Sequence, residues 1–326
     1  MAANDLLQFS ASGIYCPIGD FYIDPTKRVS KAVITHAHSD HARRGMGHYL
    51  AHKDSIPIMK LRLGKKISFQ AVEYGEKIEI NGVSVSFHPA GHIIGSAQIR
   101  VEYKGEVWVA SGDYKVEDDG LTVPFEAIKC HAFITETTFA LPVFRWQPQA
   151  EVVQEINDWW AANAAIGRTS FLSAYALGKA QRLLHIVNHD IGPVYTHSSV
   201  AVVNAAFRER GIKLKTDIPI TDSVSKEDLA KALVIAPGTT GNLAHLPKLG
   251  NYSLGMASGW MMLRSMRKGR GADRAFILSD HADWDGLNQA IQATEAERVF
   301  LTHGYTRQYA QWLNSQGIEA IEGDST

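Results

Sequence analysis

The chain has 326 residues, of which 45% are hydrophobic and 21% charged; this is ordinary globular composition, with length enough for two domains. No apolar run approaches the ~18–20 residues that a membrane helix needs, and two cysteines without CxxC spacing exclude a thiolate zinc site. A formal net charge of −1 gives no global attraction to nucleic acid and leaves room only for a local basic surface.

The opening MAANDLLQFSASG has no basic stretch followed by an apolar core, so no signal peptide is expected. Cys16 and Cys130 then read as reduced, buried thiols of a cytoplasmic protein. Segments from Ser12 to Tyr15 and from Phe21 to Pro25 read as short strands, with Asp24 at a strand exit before proline.

The apolar, β-branched run Ala32-Val33-Ile34-Thr35 reads as a buried strand. It ends in His36-Ala37-His38-Ser39-Asp40-His41, which places four potential metal ligands within six residues. Imidazoles suit zinc and other borderline divalent ions, and the adjacent carboxylate suits a harder contact. The alternative is a solvated polar turn. A short helix is predicted from Ala42 to Leu50, with Arg43 and Arg44 facing either phosphate or solvent. Lys77 to Phe87 is a hairpin around Asn81-Gly82, the preferred two-residue turn.

Three more strands end in candidate ligands or acids. Pro89-Ala90-Gly91 leads to His92, the strand Glu106 to Ala110 leads to Asp113, and the strand Ala132 to Thr135 ends at Glu136. Taken singly, these are weak signals. Following the histidine cluster in this order, they describe a site assembled from strand ends.

Residues 149–270 change character. Glu151 to Ala165 is an amphipathic helix with Val152, Val153, Ile156 and Trp159 or Trp160 on its apolar side. Strands are predicted at Arg168 to Tyr175, Gly192 to Thr196 and Leu233 to Pro237, with a helix opening at Gly178. Such alternation points to a small inserted α/β domain. The stretch SAYALGKAQ is not a Walker loop, yet it gathers Ser173, Tyr175 and Lys179 near a helix start. Phosphate contact and ordinary helix capping stand side by side there. The basic run around Arg264, Arg267, Arg270 and Arg274, with Ser258 and Trp260 upstream, reads as a nucleic-acid backbone track or a solvated loop.

Two further strands, Ala275 to Leu278 and Val299 to Thr302, lead to His281 and His303. Helix capping accounts for Asp280 and Asp283. Thr306 to Gln316 reads as a helix packing Tyr309 and Leu313. The other eight histidines, His48, His52, His88, His131, His185, His189, His197 and His245, read as surface or hydrogen-bonded residues.

The HAHSDH segment resembles the signature of the metallo-β-lactamase fold. AGHIIGSA resembles the form found in its β-CASP branch, whose members act on nucleic acids. This resemblance covers nearly the whole chain. It implies an α/β fold: a metallo-β-lactamase αββα sandwich in two parts, 1–148 and 271–326, with a β-CASP insertion at 149–270. It also implies two divalent ions, zinc or alternatively manganese. One would be held by His36, His38 and His92, the other by Asp40, His41 and His303, with Asp113 bridging. Asp24 would orient the metal loop, and Glu136 would partner His281 as general acid.

The phrases TETTFALPVFRWQPQ, SGWMMLR, LSDHADWDGL and LTHGY are similar to the bacterial ligase-associated DNA exonucleases. The expected activity is therefore metal-dependent 5′→3′ digestion of DNA in repair, in association with a DNA ligase and a helicase. Ser173, Tyr175, Lys179, Ser258, Arg264 and Arg267 are the expected substrate contacts. One position departs from the DNA pattern. Eukaryotic crosslink-repair and Artemis-type DNA nucleases carry valine where this chain has His303, and histidine is typical of the RNA-processing branch. An RNA-processing nuclease is thus the second reading. A small-molecule metallohydrolase is disfavoured by the inserted domain, Glu136 and His281.

Overall fold

The computed structural model of the chain describes residues 5–238, 250–268 and 271–323, with the side chains of Arg267 and Lys268 outside the described set. The chain divides into two compact units, Met1–Arg145 with His281–Thr326, and Trp146–Asp280. Both are mixed α/β.

The first unit holds two sheets. In one, the order is Gln8–Ser10, Gly13–Cys16, Phe21–Ile23, Lys31–Ile34, His48–His52, Phe69–Val72. In the other, it is Glu319–Glu322, Arg298–Gly304, Ala132–Thr137, Glu106–Ala110, Ala97–Tyr103, Val83–Pro89, Lys77–Ile80. Side-chain alternation explains how the second sheet is covered on both faces. Trp108, Ala110, Ile134 and Phe300 pack with Phe21, Ile23, Val33 and Leu50 of the first sheet. Their neighbours Val107, Val109, Phe133, Val299 and Leu301 pack with Trp284, Leu287, Tyr309 and Leu313. These last four belong to helices Trp284–Thr294 and Thr306–Ser315.

Strand direction brings the ligand-bearing ends together. Glu106–Ala110, Ala132–Thr137 and Arg298–Gly304 are parallel, so their C-terminal ends share one edge. Val83–Pro89 reaches Glu106–Ala110 through two antiparallel pairings and therefore runs the same way. The hairpin at Asn81-Gly82 has φ of 50° and 80°, the positive values that its tight turn requires.

The second unit is built on a parallel sheet. Its order is Ile218–Pro219, Val194–Thr196, Leu233–Ala236, Thr169–Ser173, Tyr252–Ala257, Arg274–Phe276. Leu172, Leu233 and Ile235 pack with Val152, Ile156 and Trp160 of helix Gln149–Ala165 and with Leu183 and Leu184 of helix Lys179–Ile186. Phe171, Val234 and Leu254 occupy the opposite face.

Two sequence expectations need correction. Ala42 to Leu50 is not a helix: it turns and enters strand His48–His52. Gly45 sits at φ 95°, and a Cβ on Gly47 would lie 2.7 Å from the Ser30 carbonyl oxygen, so the glycines hold a close turn rather than helix. The inserted unit also runs past 270. Arg274–Phe276 pairs with Tyr252–Ala257, which carries the division to Asp280.

Among the described residues, no helix is long and apolar enough to cross a membrane. Cys16 and Cys130 are buried and not disulfide-bonded. Burial pushes the Cys130 thiol up to about 12, so it is inert as a nucleophile. His245 and Arg270 lie outside the described residues.

Candidate metal centre

Strand Lys31–Ile34 ends in the interior, so the residues after it emerge already packed. Thr35, His36 and Ala37 are buried, His38 is half-buried, and Asp40 is exposed. Arg62 reaches back to donate to the Ala37 carbonyl, and Arg43 Nε donates to the Asp40 carbonyl at 3.1 Å. Arg44 donates to the Arg62 carbonyl. Arg43 and Arg44, the possible phosphate contacts, thus bond backbone of the metal loop and its neighbours.

His36, His38, His92 and Asp113 each offer a ligand atom, and these atoms all lie within 4.8 Å of one another. His38 Nδ1 is 3.1 Å from His36 Nε2 and 3.1 Å from His92 Nε2. A tetrahedral ion with Zn–N bonds near 2.05 Å has ligand atoms ~3.3 Å apart, so this spacing fits one. Asp113 Oδ2 lies 3.6 Å from His36 Nε2, 3.8 Å from His92 Nε2 and 3.5 Å from His41 Nε2. His41 Nε2 is also 3.8 Å from Asp40 Oδ2, and the His41 and His303 rings are 5.6 Å apart. The carboxylate of Asp113 therefore faces imidazoles on two sides. A set of imidazoles and carboxylates without sulfur suits zinc or a similar divalent ion.

Asp24 stands behind this cluster. Its Oδ1 accepts from the Thr35 backbone at 2.8 Å, and its Oδ2 lies 2.7 Å from His41 Nδ1. The Thr35 hydroxyl also donates to Asp24 Oδ2. Sequence reasoning gave Thr35 no part in the site; its only signal was its place between strand and histidine. Gly112 was overlooked as well. A Cβ there would lie 2.6 Å from Thr35 Cβ, so the turn that presents Asp113 has no room for a side chain.

Charge follows from these contacts. Burial holds the His36 imidazole well below the ordinary histidine value, and the charge of His41 adds to the effect. Burial would lower His41 too, but Asp113 and Asp24 outweigh it and hold His41 well above that value. Burial would raise Asp113, but His41, His281 and His36 outweigh it and keep its carboxyl well below the usual range. Without an ion, a protonated His41 lies between two carboxylates. A cation is what this donor set is arranged to receive.

Beside the cluster stands a carboxylate–imidazole pair. Glu136 Oε2 is 2.8 Å from His281 Nδ1, and Glu136 Oε1 accepts from the Tyr114 backbone at 2.8 Å. The Thr138 hydroxyl donates to Glu136 Oε2. Glu136 is buried, His281 is partly exposed, and the His281 ring is 4.6 Å from the His92 ring.

The expected substrate contacts lie in the second unit. Lys179 must be corrected: it is buried, and its ammonium donates to Asp280 Oδ2 at 2.8 Å. The reason is tertiary, since its partner lies 101 residues later in the chain. Asp280 is likewise no helix cap, whereas Asp283 does cap helix Trp284–Thr294 by accepting from Gly286 N. The Ser173 hydroxyl is committed to the Gly238 carbonyl, and Ser258 accepts from Trp260 N at 3.3 Å. Tyr175 is 72% exposed, and Arg264 is exposed on helix Arg264–Lys268. The Arg267 side chain lies outside the described residues.

A scan against models of known protein families finds no match. Among curated proteins, the chain is similar to a "Probable DNA ligase" of Opitutus terrae, 28% identical over 311 residues, which cover 94% of this chain and 30% of that protein. It is similar to "Ribonuclease TTHA0252" of Thermus thermophilus, 26% identical over 213 residues, 56% of this chain and 49% of the relative. It is also similar to "Endoribonuclease ysh-1" of Neurospora crassa, 28% identical over 144 residues, 40% of this chain and 17% of the relative. The similarities to these nucleases support the β-CASP family of the metallo-β-lactamase fold. The chain spans less than half the length of each of these three relatives. Among solved structures, a protein of unknown function from Enterococcus faecalis shares the fold, with a TM-score of 0.59 at 12% identity over 89% of this chain and 78% of that one.

Proposed function

We propose that this chain is a metal-dependent β-CASP nuclease that hydrolyses DNA phosphodiester bonds as a 5′→3′ exonuclease in repair, in association with a DNA ligase and a helicase. The observation that carries the reading is the His281–Glu136 pair at 2.8 Å, next to a cluster of imidazoles and carboxylates. A small-substrate metallohydrolase has no evident need for that pair or for an inserted unit. DNA is favoured because a stretch similar to 94% of this chain forms part of a protein named as a probable DNA ligase.

In this reading, the first unit is the αββα sandwich and the second is the β-CASP insertion. His36, His38 and His92 would hold one ion, and Asp40, His41 and His303 the other, with Asp113 shared. Zinc or manganese bound there would lower the pKa of water toward ~7 and offset charge on the scissile phosphate. Hydrolysis forms one P–O bond from water and breaks the bond from phosphorus to the leaving sugar oxygen. His281 gives the departing oxygen its proton. Glu136 engages Nδ1, so the transferred proton sits on Nε2 and the imidazolium is stabilised until transfer. The exposed Tyr175 and Arg264 are the contacts proposed for the strand; Ser173 and Ser258 remain candidates for a terminal phosphate.

RNA is the second reading, favoured by the ribonucleases among the relatives and by His303. Digestion of matched 5′- and 3′-labelled DNA and RNA strands with added Zn²⁺ or Mn²⁺ decides between them. Shortening of DNA from its 5′ end with RNA spared is expected. Preferred cleavage of RNA moves the chain to the RNA-processing branch. Cleavage of neither by protein shown to bind metal refutes the nuclease reading.

A further inference from the structure

The second unit contains a buried charge cluster that the reaction above does not use. Asp280 Oδ2 accepts from Lys179 Nζ at 2.8 Å, and Asp280 Oδ1 accepts from Arg182 Nη1 at 3.2 Å. Arg182 also donates to the Ser279 carbonyl and, through Nε, to Gln149 Oε1 at 2.8 Å. All three charged side chains are nearly inaccessible, at 4–7% exposure. Lys179 and Arg182 lie three residues apart, on the first turn of helix Lys179–Ile186.

Stability alone does not explain such a cluster. Charges removed from water regain little more than they lose, and well-packed apolar replacements are often as stable or more so. What a buried, doubly bonded carboxylate does provide is a fixed position for its own backbone. Here that backbone is at the last residue of the second unit, and the next residue is His281. The stretch from 277 to 283 has no regular hydrogen-bonded structure of its own. On the other flank, Ala282 N donates to the Tyr114 carbonyl at 2.7 Å, and the same Tyr114 donates its N–H to Glu136.

We propose that Asp280, gripped by Lys179 and Arg182, is a positioning residue that holds the His281 main chain so that its imidazole meets Glu136 and the leaving oxygen. This rests on the reading of His281 as proton donor. The segment bearing the donor is irregular, so its geometry must come from its two flanks. Tyr114 fixes one flank and the ion cluster fixes the other. Misplacing a reacting group by ~1 Å costs about 10²-fold in rate, so loosening one flank should cost about 10–100-fold.

The test compares two leaving groups in metal-loaded protein. A nucleic-acid strand releases a sugar alkoxide, which needs the proton. Bis(p-nitrophenyl) phosphate releases a stable phenolate, which leaves without one. Asp280→Asn should lower kcat on the strand about 10–100-fold with little change in KM, and change hydrolysis of the phenyl ester less than about threefold. In a His281→Ala background, Asp280→Asn should cost nothing further on the strand, because the two act through one group. A Lys179→Met/Asp280→Asn double variant removes one charge of each sign and should show the same discrimination if the single variant folds poorly. Equal loss on both substrates, or an additive loss in the His281→Ala background, overturns the proposal and leaves the cluster a structural role. No loss on either substrate also overturns it. If instead His281→Ala itself leaves strand cleavage intact, the assignment of His281 fails and this inference falls with it. The two failures are thus distinguishable, since only the first occurs with His281→Ala still damaging.

Discussion

Replacing Asp24 with asparagine tests how the centre is organised. Asp24 has φ 45°, a value that asparagine also tolerates, so the backbone need not move. The wild-type carboxylate lies 2.7 Å from His41 Nδ1 and fixes the ring proton there. His41 Nε2 then faces Asp113 at 3.5 Å and Asp40 at 3.8 Å with its lone pair. An asparagine whose oxygen keeps the Thr35 backbone bond turns its NH₂ toward Nδ1. That favours the tautomer with the proton on Nε2, which cannot ligate. Partners of this kind are worth about 10–100-fold in metal affinity, or about 1.4–2.8 kcal/mol. The loss should fall on the ion that His41 helps hold. The ion at His36, His38 and His92 should be nearly unaffected. Titration of metal-free protein against a chromophoric chelator resolves the two classes. Equal weakening of both, or of neither, would refute the idea that Asp24 acts by setting the His41 tautomer.

His281→Ala and Glu136→Gln should each lower kcat on a nucleic-acid strand about 10²–10⁴-fold, the span of general-acid catalysis, with metal content unchanged by elemental analysis. Asp40→Ala should cost more than His281→Ala in the same assay; the reverse order would mean that the roles are misassigned. Gly112→Ala forces a Cβ to 2.6 Å from Thr35 Cβ at φ 58°. It should lower unfolding free energy in a urea titration by about 1–3 kcal/mol, the cost of overpacking. The metal-free protein should also lose stability as pH rises. His41 is raised in the folded state, so its contribution is full below ~6.5, its unfolded value, and is lost as pH climbs through the folded value. Melting temperature measured across that window should fall for metal-free protein, while metal affinity rises because ion and proton compete for His41.

Much of this was legible in the sequence because it depends on local pattern. Period-two alternation marks Glu106 to Ala110 and Ala132 to Thr135, and Asn81-Gly82 marks its hairpin. Imidazoles after strands are visible as letters, and parallel pairing brings their donor atoms within 4.8 Å. What was not legible depends on partners distant in sequence. A lysine after glycine at a helix start looks like a phosphate ligand, and only the fold shows it buried against Asp280. Ala42 to Leu50 has helical composition, yet packing of Gly45 against Arg28 and Gly47 against Ser30 selects a turn. The late strand Arg274–Phe276 is read correctly as a strand but belongs to the other unit, because its register is with Tyr252–Ala257.

Strain marks His303 in the same way that polarity marks the other candidate ligands. Its φ is 53°, a left-handed value that costs a β-carbon-bearing residue roughly 1 kcal/mol. Gly304 follows at φ 83°, and a Cβ there would lie 2.3 Å from the Thr137 carbonyl oxygen. The Thr137 hydroxyl donates to the His303 carbonyl, and Tyr305 N donates to the Thr137 carbonyl at 3.0 Å, so the turn is held from both sides. The imidazole itself is exposed and buries little surface. His303→Gly should therefore relieve the strain and lose almost no packing. Against this stands the greater freedom of glycine in the unfolded chain, worth about 0.4–1 kcal/mol. The two nearly cancel, so the metal-free variant should melt within a few degrees of wild type. Affinity for the ion near His41 should nonetheless fall, as expected of a residue kept in a strained conformation for what it binds. A variant that is clearly destabilised while binding two ions as tightly as wild type would reverse this assignment, making His303 a structural residue and not a ligand.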